Sequence, residues 1–392
     1  MSTKVYIGLL SLAVSAFAIG TTEFVIVGLL QTIADDLSIT VTKSGALISG
    51  YAIAIAVGTP VITVITGRVP KKAFLLILMA IFTLGNLLSA LAGSYELLMF
   101  SRVVTAISHG VFFAIAAIVA TDIVPDNKKG TAISIMFTGL TVATIVGVPL
   151  GTYIGQHFGW RATFGTVAFL GLIAFIVNIF AIDKVKNQGN PPTFKDVGEL
   201  IKNQRILLAL LMTAFGFGGT FALFTYLSPI LEEISGYSSS AISILLLVYG
   251  IAVAIGNILG GKMANEHPVK ALRWIFFVQG IFLLLQIWLL PSKSLSILSI
   301  ILLGLLAFMM SPGVQAYIVS LAEKLVPSAK DLASALNISA FNVGIAAGSV
   351  LGGLAVDHLT YLDTAWIGAI MIAIALLLAA INYSFDKKQN LF

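Results

Sequence analysis

The chain has 392 residues, of which 58% are hydrophobic and only 10% charged, with a formal net charge of +5. A soluble domain carries about a quarter charged residues, so this is the composition of an integral membrane protein whose apolar runs are long enough to cross a bilayer as helices. The alternating short segments of a β-barrel are missing, and with no cysteine the chain has no disulfides, thiolate metal sites or cysteine nucleophiles.

The opening stretch MSTKVYIGLLSLAVSAFAIG carries an apolar run well beyond the ~7–15 residues of a signal-peptide core and reads as a retained first span. At about 20 residues per crossing, six apolar segments fall near 5–32, 43–67, 72–93, 96–121, 130–156 and 160–182. Six more fall near 205–231, 240–262, 271–290, 295–322, 330–356 and 364–384. An even number of crossings puts both termini on one side. With that side cytoplasmic, the inside segments hold nearly all the Lys and Arg residues, from Lys4, Arg68, Lys71 and Lys72 through Lys128, Lys184 and Lys186 to Lys387 and Lys388. The outside loops hold only Lys43, Arg161 and Lys293. This asymmetry satisfies the positive-inside rule and accounts for the basic excess without a nucleic-acid partner.

The longest polar stretch, DKVKNQGNPPTFKDVGELIKNQR, separates the sixth segment from the seventh and ends in a short amphipathic piece. It divides the chain into a six-helix bundle over 1–182, a cytoplasmic linker over 183–204 and a second six-helix bundle over 205–392. Internal similarity supports the division. YAIAIAVG at 51–58 returns as YGIAVAIG at 249–256, and GVPLGTYIGQH at 147–157 faces GSVLGGLAVDH at 348–358. Parallel six-helix repeats place a substrate path at the pseudo-twofold interface near the bilayer midplane.

A charge at the centre of a spanning helix costs about 2.5–3.5 kcal/mol on insertion scales and faces a cavity or a partner. Glu23, in AIGTTEFVIVGL, and Arg102 are such residues. Glu23 lies about 18 Å along the helix before Asp35, and Arg102 about 9 Å after Glu96, so the two share the central to outer depth. They are expected to pair conditionally or to share a water. Burial favours a carboxyl's neutral form and a guanidinium its charged form; a group pushed both ways can load a proton in one conformation and release it in another. An ion pair that merely locks two helices is the other reading. His109, two turns further along the same face, extends a proton relay, contacts substrate or simply bonds between helices. His157, His267 and His358 read as interfacial.

Gly147, Gly151 and Gly155 recur at four-residue spacing beside Pro149, a small-residue face for close helix approach that serves either packing or a pivot. Arg68, Lys71 and Lys72 form a short basic loop with an anchoring or gating role. In the second half, FGFGGTFALFTY (215–226) and AFMMSPGVQAY (307–317) mix Phe, Met, Thr and Gln, a wall suited to a moderately lipophilic solute. Thr22, Phe112, Phe217, Thr220, Phe221, Phe224, Met309 and Gln315 are the expected cavity residues, although helix packing explains any one of them equally well. Asn257, Asn337 and Asn342 are expected in interhelical hydrogen bonds.

Three motifs carry a family resemblance: GTTEFVIVGLLQTIADDL on the first span, SRVVTAISHGVFFAIAA on the fourth and GVPLGTYIGQHFGWRATF on the fifth. With them the whole chain resembles a twelve-helix major facilitator superfamily transporter of the drug:proton antiporter type, in the branch of purine-efflux and arabinose or sugar-efflux pumps. The resemblance implies an all-α fold of two pseudo-symmetric six-helix bundles, alternating access around a cavity lined by spans one, four, seven and ten, and roles for Glu23 as the first-helix acid and Arg102 as the fourth-helix arginine. Two motifs depart from the pattern. Gly67 and Thr63 stand where the loop between spans two and three usually has an aspartate and a glycine, and Val148-Pro149 replaces the fifth-helix Gly-Pro pair. The expected function is proton-coupled efflux of nucleosides, sugars or drugs by a monomer in a bacterial cell membrane, with an importer or uniporter on the same fold as the alternative. No clustered ionisable groups suggest a membrane enzyme, and no Walker-type loop suggests an ATP-driven pump. No cofactor is implied.

Overall fold

The computed structural model describes residues 3–125, 129–182, 193–264, 267–327 and 330–389. Among these residues twelve helices are long and apolar enough to cross a membrane, and no strand occurs. Spans 1 to 6 are Val5–Leu37, Val41–Ile65, Lys71–Ala90, Tyr95–Ala117, Ile135–Phe158 and Trp160–Ala181. Spans 7 to 12 are Gln204–Ile234, Ser239–Ala264, Pro268–Leu289, Lys293–Leu325, Leu332–His358 and Asp363–Lys388. The apolar segments of the sequence therefore correspond to the helices one for one. Of the expected linker, residues 183–192 lie outside the described residues, as do Lys128, Lys184 and Lys186 of the charge asymmetry. The amphipathic piece is a helix, Phe194–Lys202, opened by a capping box between Thr193 and Asp196.

Four spans leave α-helical geometry partway. Span 5 widens to a π turn at Ala143–Gly147, just before Pro149. Span 7 breaks after Phe224 and widens again at Ile230–Ile234, on either side of Pro229. Span 10 is interrupted between Ala307 and Ser311, just before Pro312. A proline lacks the N–H that would bond four residues back and its ring crowds that carbonyl, which explains these three. Span 1 has no proline; it tightens to a 3-10 turn over Val25–Leu29.

Span 5 packs on span 1 through the small-residue face. A methyl group added at Gly147 would fall 2.2 Å from the Thr21 hydroxyl; at Gly151 it would meet Val25, and at Gly155 Leu29. The four-residue glycine row thus receives the four-residue row of span 1, the close-approach packing expected of small residues. The end of the first half that carries the loop between spans 1 and 2 is tied by charge. Arg161 donates to Asp36 (2.6 Å) and to the Ala92 carbonyl (2.9 Å), and the Trp160 indole donates to Asp36 (3.0 Å), joining spans 1, 3 and 6.

Leu9, Leu12, Phe74, Phe82, Phe112 and Val119 are buried together in the first half, and Phe276, Leu283, Tyr317 and Ile372 in the second. The halves meet where span 2 packs on span 11 and span 5 on span 8. Thr42 donates to Asp357 (2.6 Å) and Ser243 to Gln156 (2.9 Å). Among the described residues these are the side-chain hydrogen bonds that cross between halves, and both sit at the end carrying the loop between spans 1 and 2. At Gly250 of span 8 an added Cβ would lie 2.3 Å from the Thr144 carbonyl oxygen, so only glycine lets these two backbones touch.

Candidate functional site

Thr22 and Glu23 occupy the last turn of the first α-helical segment of span 1, immediately before the 3-10 turn. The last carbonyls of an α-helical segment lose their i+4 partners. One of these, at Thr22, accepts a hydrogen bond from Arg102 Nη1 of span 4 (2.7 Å). The depth match expected of Glu23 and Arg102 is therefore present, because the guanidinium sits against the residue next to Glu23. Their direct ion pair is not formed in this conformation. Arg102, only 1% exposed, is instead held by that carbonyl and by the Tyr51 ring, its guanidinium carbon 3.9 Å from the ring centroid. Phe164 of span 6 lies on another side, 5.9 Å from centroid to guanidinium carbon. Arg102 Nε and Nη2 have no partner among the described residues.

Glu23, 8% exposed, turns toward His109, with Oε2 3.8 Å from Nε2. The other imidazole nitrogen, Nδ1, shares a 3.0 Å hydrogen bond with the Tyr51 hydroxyl. Tyr51 thus touches both groups: its ring supports the cation and its hydroxyl orients the histidine. In the sequence Tyr51 stands out only as the first letter of the repeat YAIAIAVG. The signal was a lone phenol in an otherwise aliphatic span, and its role depends on span 2 crossing span 4. A second residue that reading missed is Asn86, which accepts from the Thr22 hydroxyl (2.6 Å) and donates to the Phe82 carbonyl (2.9 Å).

A small pocket opens beside this cluster, lined by Glu23, Phe24, Val27, Ile48, Tyr51, Ala52, Arg102, Phe221, Asn342 and Ile345. Spans 1, 2, 4, 7 and 11 contribute, so spans 2 and 11 take the place expected of span 10. Of the expected cavity residues Phe221 lines the pocket. Phe217 stands one layer back in a five-ring cluster, edge-on to Phe308 and Phe341, while Phe24 lies edge-on to Phe308 and near Phe221. Phe224 stacks on Tyr249 at 4.7 Å. Thr22 is taken up by Asn86. Phe112 is buried in the first half's core against Phe113, and Thr220 accepts from Gln279 of span 9 (2.7 Å). Met309 lies in the span 10 break, its carbonyl against Gly260. These positions were expected at the cavity because their faces are apolar, but a buried helix is apolar on every face.

Gln315 belongs to a separate amide chain. Thr213 donates to Asn337 (2.8 Å), Asn337 to Gln315 (2.7 Å) and Gln315 to Ser334 (2.6 Å), which joins spans 7, 10 and 11. Asn342 donates only within its own helix, to Ile338, and its Oδ1 has no partner among the described residues; Asn257 Oδ1 has none either. Lys72 ties span 3 to span 6 by donating to the Ile179 carbonyl (2.9 Å), Lys71 bonds the Gly67 carbonyl (3.3 Å), and Arg68 is likewise engaged. Both lysine bonds stay within the first half. Among the described residues no cluster of His, Asp and Glu could hold a metal ion.

Residues 12–326 match the Major Facilitator Superfamily. YtbD of Bacillus subtilis (strain 168), an uncharacterized MFS-type transporter, is 49% identical over 382 residues, covering 97% of this chain and 96% of that protein. The inner membrane transport protein YdhP of Escherichia coli (strain K12) is 37% identical, covering 96% and 95%. Among solved structures, a bacterial homolog of the human lysosomal transporter Spinster, crystallised inward-facing and unoccupied, superposes with a TM-score of 0.72 at 16% identity over 98% of this chain and 96% of that one. Twelve spans, a charged cluster at mid-depth and these likenesses agree: the chain belongs to the Major Facilitator Superfamily and is a multi-pass membrane transporter rather than an enzyme.

Proposed function

We propose that the protein exports small organic solutes in exchange for protons, as a monomer in a bacterial cell membrane. Residues 1–182 and 205–392 rock about the cluster, with 183–204 as their tether. One observation carries the reading: Glu23 is buried at a pocket between the halves without a Lys or Arg ion-pair partner among the described residues, while Arg102 nearby keeps two nitrogens unpartnered. A purely structural pair would be closed. Here a charged Glu23 can draw Arg102 off the Thr22 carbonyl, and a protonated Glu23 can stay with His109. With Nδ1 accepting from Tyr51, a neutral His109 presents Nε2–H to the carboxylate. A carboxyl whose surroundings alternate between dry and wet changes its proton affinity, and that alternation couples proton and solute.

The pocket's Phe24, Val27, Ile48, Phe221 and Ile345, with the one amide of Asn342, suit a moderately lipophilic solute carrying a hydrogen-bonding group. Export is supported by the efflux-type motifs of spans 1, 4 and 5. The closed contacts Thr42–Asp357 and Ser243–Gln156 lie on the outer side under the positive-inside orientation, leaving the pocket to be loaded from within. In proteoliposomes with an imposed pH gradient, the wild type should drive efflux of at least one of a purine nucleoside, a pentose, chloramphenicol and a lipophilic cation. Glu23→Gln should lose gradient-driven transport yet keep solute counterflow. Equal gradient-driven transport in both would remove Glu23 from the coupling.

A further inference from the structure

The last two turns of span 12 carry Ala380, Tyr383, Ser384, Lys387 and Lys388 at i, i+3, i+4, i+7 and i+8, one face of a helix. With Arg273 of span 9 these residues line an open groove. The two helices pack side by side, and Arg273 meets Tyr383 at one depth: Arg273 lies five positions in from Pro268, and Tyr383 five positions before Lys388, each about 7.5 Å from its helix end, with Lys387 and Lys388 at the end of span 12. The Arg273 guanidinium carbon lies 4.5 Å from the Tyr383 ring centroid, which fixes the cation beside the groove. Ser384 donates to the Ala380 carbonyl (2.9 Å).

No described residue neutralises this face. Among the described residues no carboxylate lies within ion-pair distance of Arg273, Lys387 or Lys388. Asp386, the neighbouring acid, turns into the bundle and is bound by Arg205 and Tyr317. Toward the membrane interior the same seam becomes apolar and exposed, through Leu377 and Ile381 on span 12 and Phe277 and Ile281 on span 9. Trp274, 61% exposed and edge-on to Phe277 at 6.1 Å, stands at the level where aromatic side chains mark the membrane interface.

We propose that this groove binds the headgroup of an anionic phospholipid, the phosphodiester between Arg273, Lys387 and Lys388 and the acyl chains along Leu377, Phe277 and Ile281. Basic pockets between helix ends hold anionic headgroups in this way. The apolar continuation selects a lipid over a free phosphate, whose chemistry the basic end alone would also suit. The site is independent of the Glu23 cluster and of the proton-coupling reading.

Native mass spectrometry of the full chain in detergent tests it, with phosphatidylglycerol and phosphatidylcholine of matched acyl chains as probes. The wild type should retain phosphatidylglycerol in preference. Arg273→Gln/Lys387→Gln/Lys388→Gln should lose that preference, by roughly fivefold per charge removed, with phosphatidylcholine retention unchanged. Lys387→Gln/Lys388→Gln alters two exposed residues only and should lose part of it, which protects the test against misfolding of the triple variant. Lys195→Gln/Lys202→Gln/Lys262→Gln removes the same charge elsewhere and should behave as the wild type. Absence of preference in the wild type, equal loss in the control variant, or displacement of the lipid by excess inorganic phosphate would each overturn the proposal.

Discussion

Two arginines are buried in this molecule, one in each half, and they are treated differently. Arg205 of span 7 donates to Asp386 of span 12 and to the Tyr317 hydroxyl of span 10 (3.0 Å), while Tyr317 also donates to Asp386 (3.3 Å). Charge meets charge and three helices are fastened at one end of the second half. Arg102 has no carboxylate. It is held by one backbone carbonyl and an aromatic face, and the carboxylate it could reach faces a histidine instead. A buried pair that is closed contributes little net stability but is costly to break from one side. A buried cation left partly unsatisfied costs more and persists only where another arrangement uses it. The first cluster is a rivet; in the function proposed above, the second is a switch.

That contrast makes opposite forecasts for two acid-to-amide changes. Glu23→Gln should abolish gradient-driven transport without lowering the melting temperature, since no ion pair is lost; a large loss of thermal stability would make Glu23 a rivet too. Asp386→Asn should do the reverse, destabilising by about 3–5 kcal/mol because Arg205 loses its buried carboxylate partner, while surviving protein keeps its coupling. A thermal-shift assay beside the transport assay reads both. Next in size is Gly250→Ala, whose methyl group would overpack the seam of spans 5 and 8 by about 1–3 kcal/mol. Spin labels at cysteines introduced at Gln156 and Ser243, in a chain without native cysteine, should then report a longer and broader distance distribution. Tyr51→Phe keeps the ring under Arg102 but removes the bond to His109. It should cost about 1 kcal/mol and displace the pH profile of transport; an unchanged profile would leave Tyr51 a packing residue. The smallest effect is outside the membrane. The Thr193 hydroxyl and N–H donate to Asp196 and hold its carboxyl below the usual range. A depressed value means that the cap stabilises the linker helix above the ordinary carboxylate range and fades as pH falls through the lowered one. Asp196→Asn should speed amide exchange over 193–202 at neutral pH and erase its acid dependence.

Much of the fold was legible because membrane helices announce themselves by length and apolarity: each segment read from the sequence overlaps its helix, with ends differing by a few residues. Glu23 and Arg102 stood out for the same reason, since charge is conspicuous where it is costly. Tyr51 and Asn86 were not legible, because a phenol or an amide in a span is inexpensive when bonded and carries no periodic signature. The interruption of span 1 was hidden too, and that of span 10 was signalled only by Pro312. Hydropathy is indifferent to whether five residues wind as 3-10 or α, yet the span 10 break is what turns Phe308 into the ring cluster with Phe24, Phe217 and Phe341. The conditional Glu23–Arg102 pair depends on side-chain direction, and in this conformation the Thr22 carbonyl at the 3-10 turn holds Nη1.

That turn also changes angular bookkeeping along span 1. Each 3-10 residue advances about 120° and 2.0 Å, against about 100° and 1.5 Å in an α-helix. Through the five residues Val25–Leu29 the C-terminal part of the span is therefore rotated by about 100° and advanced by about 2.5 Å relative to an unbroken helix. Glu23 looks into the first half while Leu30 and Ile33, one further turn along, are buried in the core that also holds Tyr226, Leu227 and Ile230 of span 7. Span 1 behaves as two cylinders joined at a fixed dihedral offset, each keyed to a different neighbour. Inserting one residue into the turn would rotate the two cylinders against each other by a further turn of about 120°, so that they could no longer both stay in register with their neighbours.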